Sequence, residues 1–160
     1  MPTLFESANQ ALETQEYRHE ILNAAFGGVS PEFDGKFISR IHDEDQMLRH
    51  SLNYYGQVNS AVSQYLAVAI QQYKTVRQLQ SILFSEDEQS MAFLDFACGY
   101  GRLQRFFSLQ VDTNTVWVSD IQEDAMAHVT KSFGVNGINS YADPNLFKTD
   151  RKFDFIWVAS

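Results

Sequence analysis

The chain has 160 residues, of which 44% are hydrophobic and 14% aromatic. This is enough large apolar side chains for one or two packed units, and too many for a disordered protein. The formal net charge of −8 gives no positive field that would attract nucleic acid or an anionic membrane. The single cysteine, Cys98, excludes an internal disulfide and a multi-cysteine metal site. With no signal-peptide pattern and no apolar run near the roughly 20 residues that cross a bilayer, we expect a soluble, cytoplasmic protein.

The first half of the chain has helical patterns. Thr3 and Glu6 have the spacing of a capping box, and Gly27 with Gly28 marks the end of the helical segment that follows. Apolar residues recur at helical intervals in that segment: Leu4, Ala8, Ala11, Leu12, Ile21, Leu22, Ala25 and Phe26. The stretch FDGKF, residues 33–37, places Asp-Gly between two aromatic residues and predicts a tight turn, as in a small hairpin.

Two more helices and a connector complete this half. Residues 43–53 predict a short acidic helix, and a long helix follows from Val58 to Leu83 with one apolar face. The polar stretch SEDEQS, residues 85–90, is interpreted as a connector. We therefore expect a helical cap over residues 1–87 and a second region over residues 88–160.

The second region alternates short apolar runs with helical patterns. Strands are predicted at 91–97, 115–119, 137–141 and 153–158, and helices at 102–109 and 122–133, the latter closed by Gly134. This alternation predicts an α/β fold with a parallel sheet joined by right-handed crossovers. The runs VWVS and FDFIWV are apolar on both faces, as in strands that helices cover on both sides.

The turn after the first predicted strand, DFACGYG at residues 95–101, is the candidate ligand site. In open parallel sheets, ligands bind beyond the carboxyl ends of the strands, and the first strand-to-helix turn is the usual anchor. Gly99 and Gly101 permit close backbone approach, and the following helix would offer N–H groups to an anionic group. Asp120 ends the second strand about twenty residues later, where a carboxylate can accept hydrogen bonds from ribose hydroxyls.

Each of these features alone has a simpler explanation. A glycine pair after a strand is often only a tight turn, and an aspartate at a strand end is often the N-cap of the next helix. Their joint occurrence in a strand, turn, helix and strand context favours a nucleoside site.

The glycine spacing narrows the class of nucleotide. A dinucleotide fingerprint that begins at Gly99 requires a third glycine at position 104, which is Gln104, and this argues against NAD(P). A phosphate-binding P-loop requires Gly-Lys-Ser/Thr, whereas Gly101 is followed by Arg102 and Leu103, which excludes it.

LDFACGYGRL resembles the first motif of class I S-adenosylmethionine-dependent methyltransferases, which have a Rossmann-like fold. WVSDIQEDAM resembles their second-strand segment and FDFIWVAS their fourth strand, so that the resemblance covers about residues 91–160. It implies S-adenosyl-L-methionine as the cofactor, bound by residues at or after the ends of the first three predicted strands. By position, these are Asp95, Ala97, Cys98, Gly99, Gly101, Asp120, Ile121, Ala142 and Asp143.

The resemblance also implies a role for most of these residues. Asp95 would orient the turn and the cofactor amino group, and the turn backbone would contact the methionyl part. Asp120 would hold the ribose, Ile121 would lie against the adenine face, and Ala142 with Asp143 would lie near the adenine edge. Cys98 has no sequence neighbour to activate it, so we interpret it as a small buried side chain beneath the turn rather than as a nucleophile.

Two departures from the family pattern stand out. Ala97 occupies the position of the first glycine, which narrows the freedom of the backbone but does not prevent binding. The sequence stops directly after the fourth strand, whereas members of the family continue through further elements that commonly recognise the acceptor. We therefore expect an amino-terminal fragment of a longer methyltransferase, inactive by itself.

Residues outside the motifs leave alternatives open. Tyr54 or Tyr55 would either reach the methionyl carboxylate or pack the cap against the sheet. No histidine has metal-ligand spacing, so no metal is expected. The sequence shows no catalytic base.

The resulting expectation is a methyltransferase with a small-molecule acceptor, no nucleic-acid or membrane partner and an undetermined oligomeric state. A catalytically silent S-adenosylmethionine- or nucleoside-binding subunit with a regulatory or assembly role is the first alternative. An NAD(P) oxidoreductase is the second.

Overall fold

The computed structural model describes residues 2–84 and 91–159. The predicted connector at 85–90 lies outside the described residues, as does Ser160. The chain divides into two compact units, Met1–Lys74 and Thr75–Ser160. The first is helical, and the second contains a parallel sheet.

The N-terminal unit is built from five helices within the part of the chain that the structure describes. They are α1 (Leu4–Leu12), α2 (Gln15–Phe26), α3 (Pro31–Lys36), α4 (Gln46–Tyr55) and α5 (Val58–Phe84), the last of which also contributes residues to the second unit. Their apolar faces form a core in which Leu12, Leu22, Leu48 and Val62 are fully buried. The long helix and the capping box at Thr3 and Glu6 are confirmed.

The predicted helical segment before Gly27 consists of two helices. Thr14 interrupts it, because its backbone is extended and its side chain accepts a hydrogen bond from the N–H of Tyr17 as the N-cap of α2. Gly27 ends α2 in the left-handed conformation, with φ of 74°.

The predicted tight turn at residues 33–37 is wrong, because residues 33–36 belong to α3 and Phe37 is its C-cap. Ser30 caps this helix and Pro31 fits its first turn. Arg18 then holds its end, with guanidinium nitrogens 2.5 Å from the carbonyl of Asp34 and 3.0 Å from that of Phe37. The local Asp-Gly signal is overridden by the capping residues and by this long-range contact.

Buried polar side chains tie the loops of this unit to its helices. Asn9 donates to the carbonyl of Ile41 (2.9 Å) and accepts from its N–H (2.8 Å). Asp45 caps α4 through the N–H groups of Met47 and Leu48, and its other oxygen accepts a 2.7 Å hydrogen bond from Tyr65. These contacts place the start of α4 three residues later than the predicted helix at 43–53.

The second unit contains a four-stranded parallel sheet in the order β3-β2-β1-β4. The strands are β1 (Phe93–Phe96), β2 (Val116–Ser119), β3 (Asn136–Gly137) and β4 (Phe155–Val158), and the connecting helices are α6 (Gln104–Phe107) and α7 (Glu123–Phe133). This is the order of the first four strands of a Rossmann-like sheet. The predicted α/β fold with a Rossmann-like parallel sheet, preceded by helices, is therefore confirmed.

Packing in this unit explains most of the element boundaries. β1 and β2 are almost completely buried, and α7 packs on β2 and β3 through its buried face. α7 ends at Gly134, as predicted, in the left-handed conformation with φ of 69°. The predicted strand at 137–141 is mostly wrong, because pairing with β2 stops at Gly137 and at the hydrogen bond from Ile138 N–H to Val118 O.

Two other predictions for this unit need correction. The helix expected at 102–109 has only four residues, and hydrogen-bonded turns flank it. β4 is not covered on both faces, because Ile156 and Val158 are 53% and 62% exposed while Phe155 and Trp157 are half-buried. β4 lies at the end of the strand order, and β1 is its paired neighbour.

Among residues 2–84 and 91–159, no helix combines the length and the apolar character needed to span a lipid bilayer.

Candidate functional site

The candidate site lies where β1 and β2 end side by side. Phe96 pairs with Ser119 at the last position of both strands, so the turn that begins at Ala97 and the loop that begins at Asp120 leave the sheet together. β1 also pairs with β4, and the strand order therefore reverses beside β1. In open parallel sheets this reversal creates the crevice in which ligands bind.

Three residues of the turn have left-handed backbone conformations. Ala97, Gly99 and Gly101 have φ values of 62°, 51° and 80°. The carbonyl of Ser119 accepts hydrogen bonds from the N–H groups of both Ala97 (2.8 Å) and Cys98 (3.1 Å), which fixes the start of the turn to the end of β2. The backbone of Ala97 has a conformation that favours glycine, because this conformation costs other residues about 1–2 kcal/mol.

A side chain at Gly99 and one at Gly101 would meet different surroundings. A Cβ atom at Gly99 would meet nothing within 4 Å, so the backbone there is open to an approaching ligand. A Cβ atom at Gly101 would lie 2.6 Å from Phe133 Cε2 and 3.0 Å from Val129 Cγ2. Gly101 is thus required by close packing of the turn against α7, a reason that the glycine pattern alone does not indicate.

Asp120 fastens the turn to the second strand. Its Oδ2 accepts a 2.8 Å hydrogen bond from the N–H of Gly99, and its Oδ1 accepts one of 2.9 Å from the N–H of Gln122. Each carboxylate oxygen can accept a further hydrogen bond, so these contacts leave acceptor capacity for a ligand hydroxyl. Asp120 therefore shapes the site whether or not it contacts a ligand directly.

Asp95 is a buried carboxyl group under the turn. It is 3% exposed, and its Oδ2 accepts a 3.0 Å hydrogen bond from Nε2 of the fully buried Gln104. Burial raises the pKa of Asp95 to about 7, and the Asp120 carboxylate adds to the rise, while the Gln104 hydrogen bond and the Arg102 charge oppose it. Asp95 can therefore change its charge near neutral pH.

Cys98 is buried, as predicted, and its Sγ lies 3.4 Å from the carbonyl of Gly99. Burial raises the pKa of its thiol well above the ordinary value, and the charges of Asp95 and Asp120 raise it further. Because the thiolate is the reactive form, this thiol is unsuited to nucleophilic catalysis. Its small size fits the space beneath the turn.

The remaining predicted residues lie around or outside this cluster. Ile121 follows Asp120 directly and is 61% exposed at the carboxyl end of β2. Ala142 and Asp143 are exposed, and Asp143 caps the short 3-10 turn Pro144–Leu146 by accepting from Asn145 N–H. Tyr55 belongs to the N-terminal unit, where its ring packs edge-to-face on Tyr54. Its role in the cofactor site stays a prediction.

The structure adds residues that the sequence analysis had not assigned to the site. Gln104 served there only to argue against a dinucleotide fingerprint, yet its amide contacts Asp95. Tyr100 is buried and donates a 2.5 Å hydrogen bond to Asp124 of α7, which holds the tip of the turn. The available sign for Gln104 was its place between Leu103 and the pair Phe106 and Phe107, because a polar residue buried among apolar ones needs a hydrogen-bond partner.

The site has the wrong charge for a phosphate. Asp95 and Asp120 interact electrostatically at its edge, and a helix of four residues has too few aligned peptide groups to supply a useful positive end. The expected N-terminal anion site on the helix after the turn stays a prediction, and the helix that would form it is shorter than predicted. Within residues 2–84 and 91–159, no group of three or more His, Cys, Asp or Glu side chains is placed to hold a metal ion.

No protein-family model matches the chain, and neither does any curated protein. Among solved structures, the chain is similar to that of the plantazolicin methyltransferase BpumL in complex with SAH. The identity is 15%, the TM-score is 0.47, and the match covers 95% of this chain and 50% of that one. The chain thus spans about half the length of that protein. The geometry of the turn, rather than this distant likeness, supports the function proposed below.

Replacing Ala97 with glycine tests the strain in the turn. Relief of the left-handed alanine, about 1–2 kcal/mol, outweighs the greater entropy of an unfolded glycine, about 0.4–1 kcal/mol. We expect Ala97→Gly to leave the free energy of unfolding unchanged or to raise it by up to about 1.5 kcal/mol in urea titrations. The same substitution at the exposed helical Ala127 should lower it by about 1 kcal/mol. Equal losses at both positions would contradict a strained Ala97.

The two glycines of the turn form a second matched pair, because both have positive φ. Gly99→Ala should cost up to about 1.5 kcal/mol of unfolding free energy, which is the backbone strain less the smaller entropy that an unfolded alanine loses. Gly101→Ala should cost roughly 1–4.5 kcal/mol, because overpacking against Phe133 and Val129 adds to the same balance. Thermal and urea unfolding of the two variants measure the difference, and similar values for both would rule out the packing role of Gly101.

Asp95→Asn tests the burial of an ionisable group. The unfolded carboxyl loses its proton near 3.8 and the folded one near 7, so the folded state binds more protons between these values. The wild-type chain should therefore lose stability as pH rises through this window. Relative to the asparagine variant, we expect a loss of roughly 3 kcal/mol between pH 5 and pH 8. Parallel pH profiles of the two proteins would show that Asp95 is ionised throughout.

Proposed function

We propose that this chain carries the S-adenosylmethionine-binding part of a methyltransferase that acts on a small molecule. The observation that supports this most is the geometry at the ends of β1 and β2. The backbone is open at Gly99, whose N–H donates a 2.8 Å hydrogen bond to Asp120, and a second carboxyl group, Asp95, interacts electrostatically with Asp120. A nucleoside linked to a cationic amino acid matches this combination of ribose acceptor and negative charge.

The charge of the site favours this cofactor over a dinucleotide. S-adenosylmethionine has an ammonium group and a sulfonium, which two neighbouring carboxyl groups attract, whereas they repel the pyrophosphate of NAD(P). Position 104 supports the same choice, since the glycine that a dinucleotide fingerprint requires there is replaced by a buried Gln104. The overall net charge of −8 supports a small acceptor rather than a nucleic acid.

The residues of the turn have distinct roles in this proposal. Ala97, Cys98, Gly99 and Gly101 form the backbone wall for the methionyl part, and Asp95 holds its amino group. Asp120 accepts hydrogen bonds from the ribose hydroxyls, and the exposed Ile121 covers one face of the adenine. Ala142 and Asp143 lie at the adenine edge, and a contact of Tyr55 with the methionyl carboxylate stays a prediction.

The cofactor would supply an activated methyl group. Transfer would exchange the sulfur–methyl bond of the cofactor for a bond from the methyl group to the acceptor, and the residues of the turn would hold the cofactor in line with the acceptor. The acceptor releases a proton if it attacked in protonated form. Such a displacement depends mainly on aligning the reacting atoms, so the protein can act by positioning alone.

Calorimetry with S-adenosylhomocysteine, and with NADH in parallel, tests the proposal on the full chain. Ile121 is a better probe than Asp120, because Asp120 also holds the backbone of Gly99 and Gln122. We expect Ile121→Glu to weaken S-adenosylhomocysteine binding roughly tenfold by removing an apolar contact with adenine. Since Ile121 is exposed, the thermal midpoint should stay unchanged.

Ile82→Glu is the matched control. Ile82 is 67% exposed on α5. It lies two residues before Phe84, whose ring packs against Phe155 at the amino-terminal end of β4, whereas the candidate site lies at the carboxyl ends of the strands. This substitution should leave affinity and stability unaltered. Absence of S-adenosylhomocysteine binding, or equal affinity in the Ile121 variant, would overturn the assignment.

A further inference from the structure

Gln104 is the polar partner of Asp95 beneath the turn. Its Nε2 lies 3.0 Å from Asp95 Oδ2, and Gln104 and Asp95 are 0% and 3% exposed. The other end of the amide, Oε1, is buried and has no hydrogen-bond partner among the described residues. A buried acceptor without a partner costs about 1–3 kcal/mol. The Gln104 amide therefore satisfies its donor, through the Asp95 carboxyl group, but not its acceptor.

A side-chain amide can serve either protonation state of a carboxyl group. Towards an ionised Asp95, Nε2 donates, as in the observed arrangement. Towards a protonated Asp95, an amide turned end for end would accept the carboxylic O–H at Oε1, and the unsatisfied acceptor would then gain its partner. A hydrocarbon side chain at position 104 could serve neither state.

The groups around Asp95 determine which state prevails. Arg102, just before α6, favours the carboxylate, while Asp120 at the end of β2 disfavours it. Cys98 is a further titratable group that interacts with Asp95, and it is a neutral thiol at ordinary pH because burial raises its pKa. The neighbours in the sheet, Val118 on β2 and Trp157 on β4, are uncharged. The donated hydrogen bond of Gln104 therefore acts directly against the effect of burial on the pKa of Asp95.

We propose that Gln104 is a positioning residue that keeps the Asp95 carboxylate available to the ligand's ammonium group, and so sets the pH above which the turn binds an amino-acid-bearing nucleoside. The inference rests on the proposed function, because the ligand is the cofactor named there. It adds a residue whose side chain does not contact the ligand. Below this pH the carboxyl group is neutral and its attraction for the ammonium is lost.

The test compares two ligands in the wild-type chain and in Gln104→Met, which keeps the length of the side chain but removes the amide. S-adenosylhomocysteine has the ammonium group, and 5′-methylthioadenosine lacks the entire amino-acid part. Calorimetry from pH 5.5 to pH 8.5 gives the affinity of each. In the wild type, S-adenosylhomocysteine should bind more weakly below about pH 7, while 5′-methylthioadenosine should show no such dependence.

In Gln104→Met, the midpoint for S-adenosylhomocysteine should move upward. A rise of about one pH unit weakens binding roughly fivefold at pH 7 and restores wild-type affinity well above the new midpoint. A purely structural defect would instead weaken both ligands at every pH. Gln78→Met, on the exposed surface of α5, is the matched control and should leave both profiles unchanged.

Further variants keep the inference testable if the methionine variant fails to fold. Gln104→Glu has nearly the same shape and should also raise the midpoint, because a second carboxyl group disfavours ionisation of Asp95. Asp95→Asn should abolish the pH dependence with either residue at position 104. An unmoved midpoint in the Gln104 variants overturns this inference alone. A wild-type chain that binds neither ligand overturns the proposed function, and this inference with it.

Discussion

The hydrogen bond between the Asp120 carboxylate and the Gly99 N–H is the contact on which the geometry of the site depends. It joins the turn after β1 to the loop after β2, over a distance of 2.8 Å. The Ser119 carbonyl adds bonds to Ala97 and Cys98 from the same strand end. Because the two loops are joined in this way, the position of Asp95 beneath them and the exposure of Ile121 beside them are set by one small network.

This network also explains why the turn can keep unfavourable local conformations. A left-handed alanine and a buried carboxyl group each cost free energy, and neither would persist in an isolated turn. The surrounding contacts compensate for both costs. Tyr100 bonds to Asp124, Gly101 packs against Phe133, and Gln104 bonds to Asp95. Each of these contacts involves an element other than the turn itself, so the sheet and α7 maintain the site.

Local signals in the sequence predicted the elements that depend on local interactions. The capping box at Thr3, the long α5 and the end of α7 at Gly134 are determined by residues within a few positions of one another. The position of the turn after β1 was also predictable, since it follows from the alternation of strands and helices. The turn assigned to 33–37 was wrong because Arg18, far away in sequence, stabilises the helix there. β3 was overestimated because apolar pattern alone does not show where a partner strand stops pairing.

For the candidate site, the sequence predicted which residues belong to the turn and the loop beside it, but not which contacts require those residues. Gly101 was expected to expose backbone, whereas the structure explains it by the side chains of α7, which are about thirty residues away in the chain. Asp120 was expected to be an acceptor for a ligand, and its hydrogen bond to Gly99 could not be inferred from spacing. Gln104 was read only as a missing glycine. In each case the decisive neighbour comes from another element, which a pattern along a single segment does not contain.

Because Cys98 is buried, its reaction with a thiol reagent measures local opening of the turn. A thiol reagent can reach this sulfur only after the segment above it lifts away, so the rate of chemical labelling reports local opening rather than the intrinsic reactivity of the sulfur. Because the chain has a single cysteine, the signal comes from one place. Cys98 is thus an intrinsic probe of local opening where β1 and β2 end.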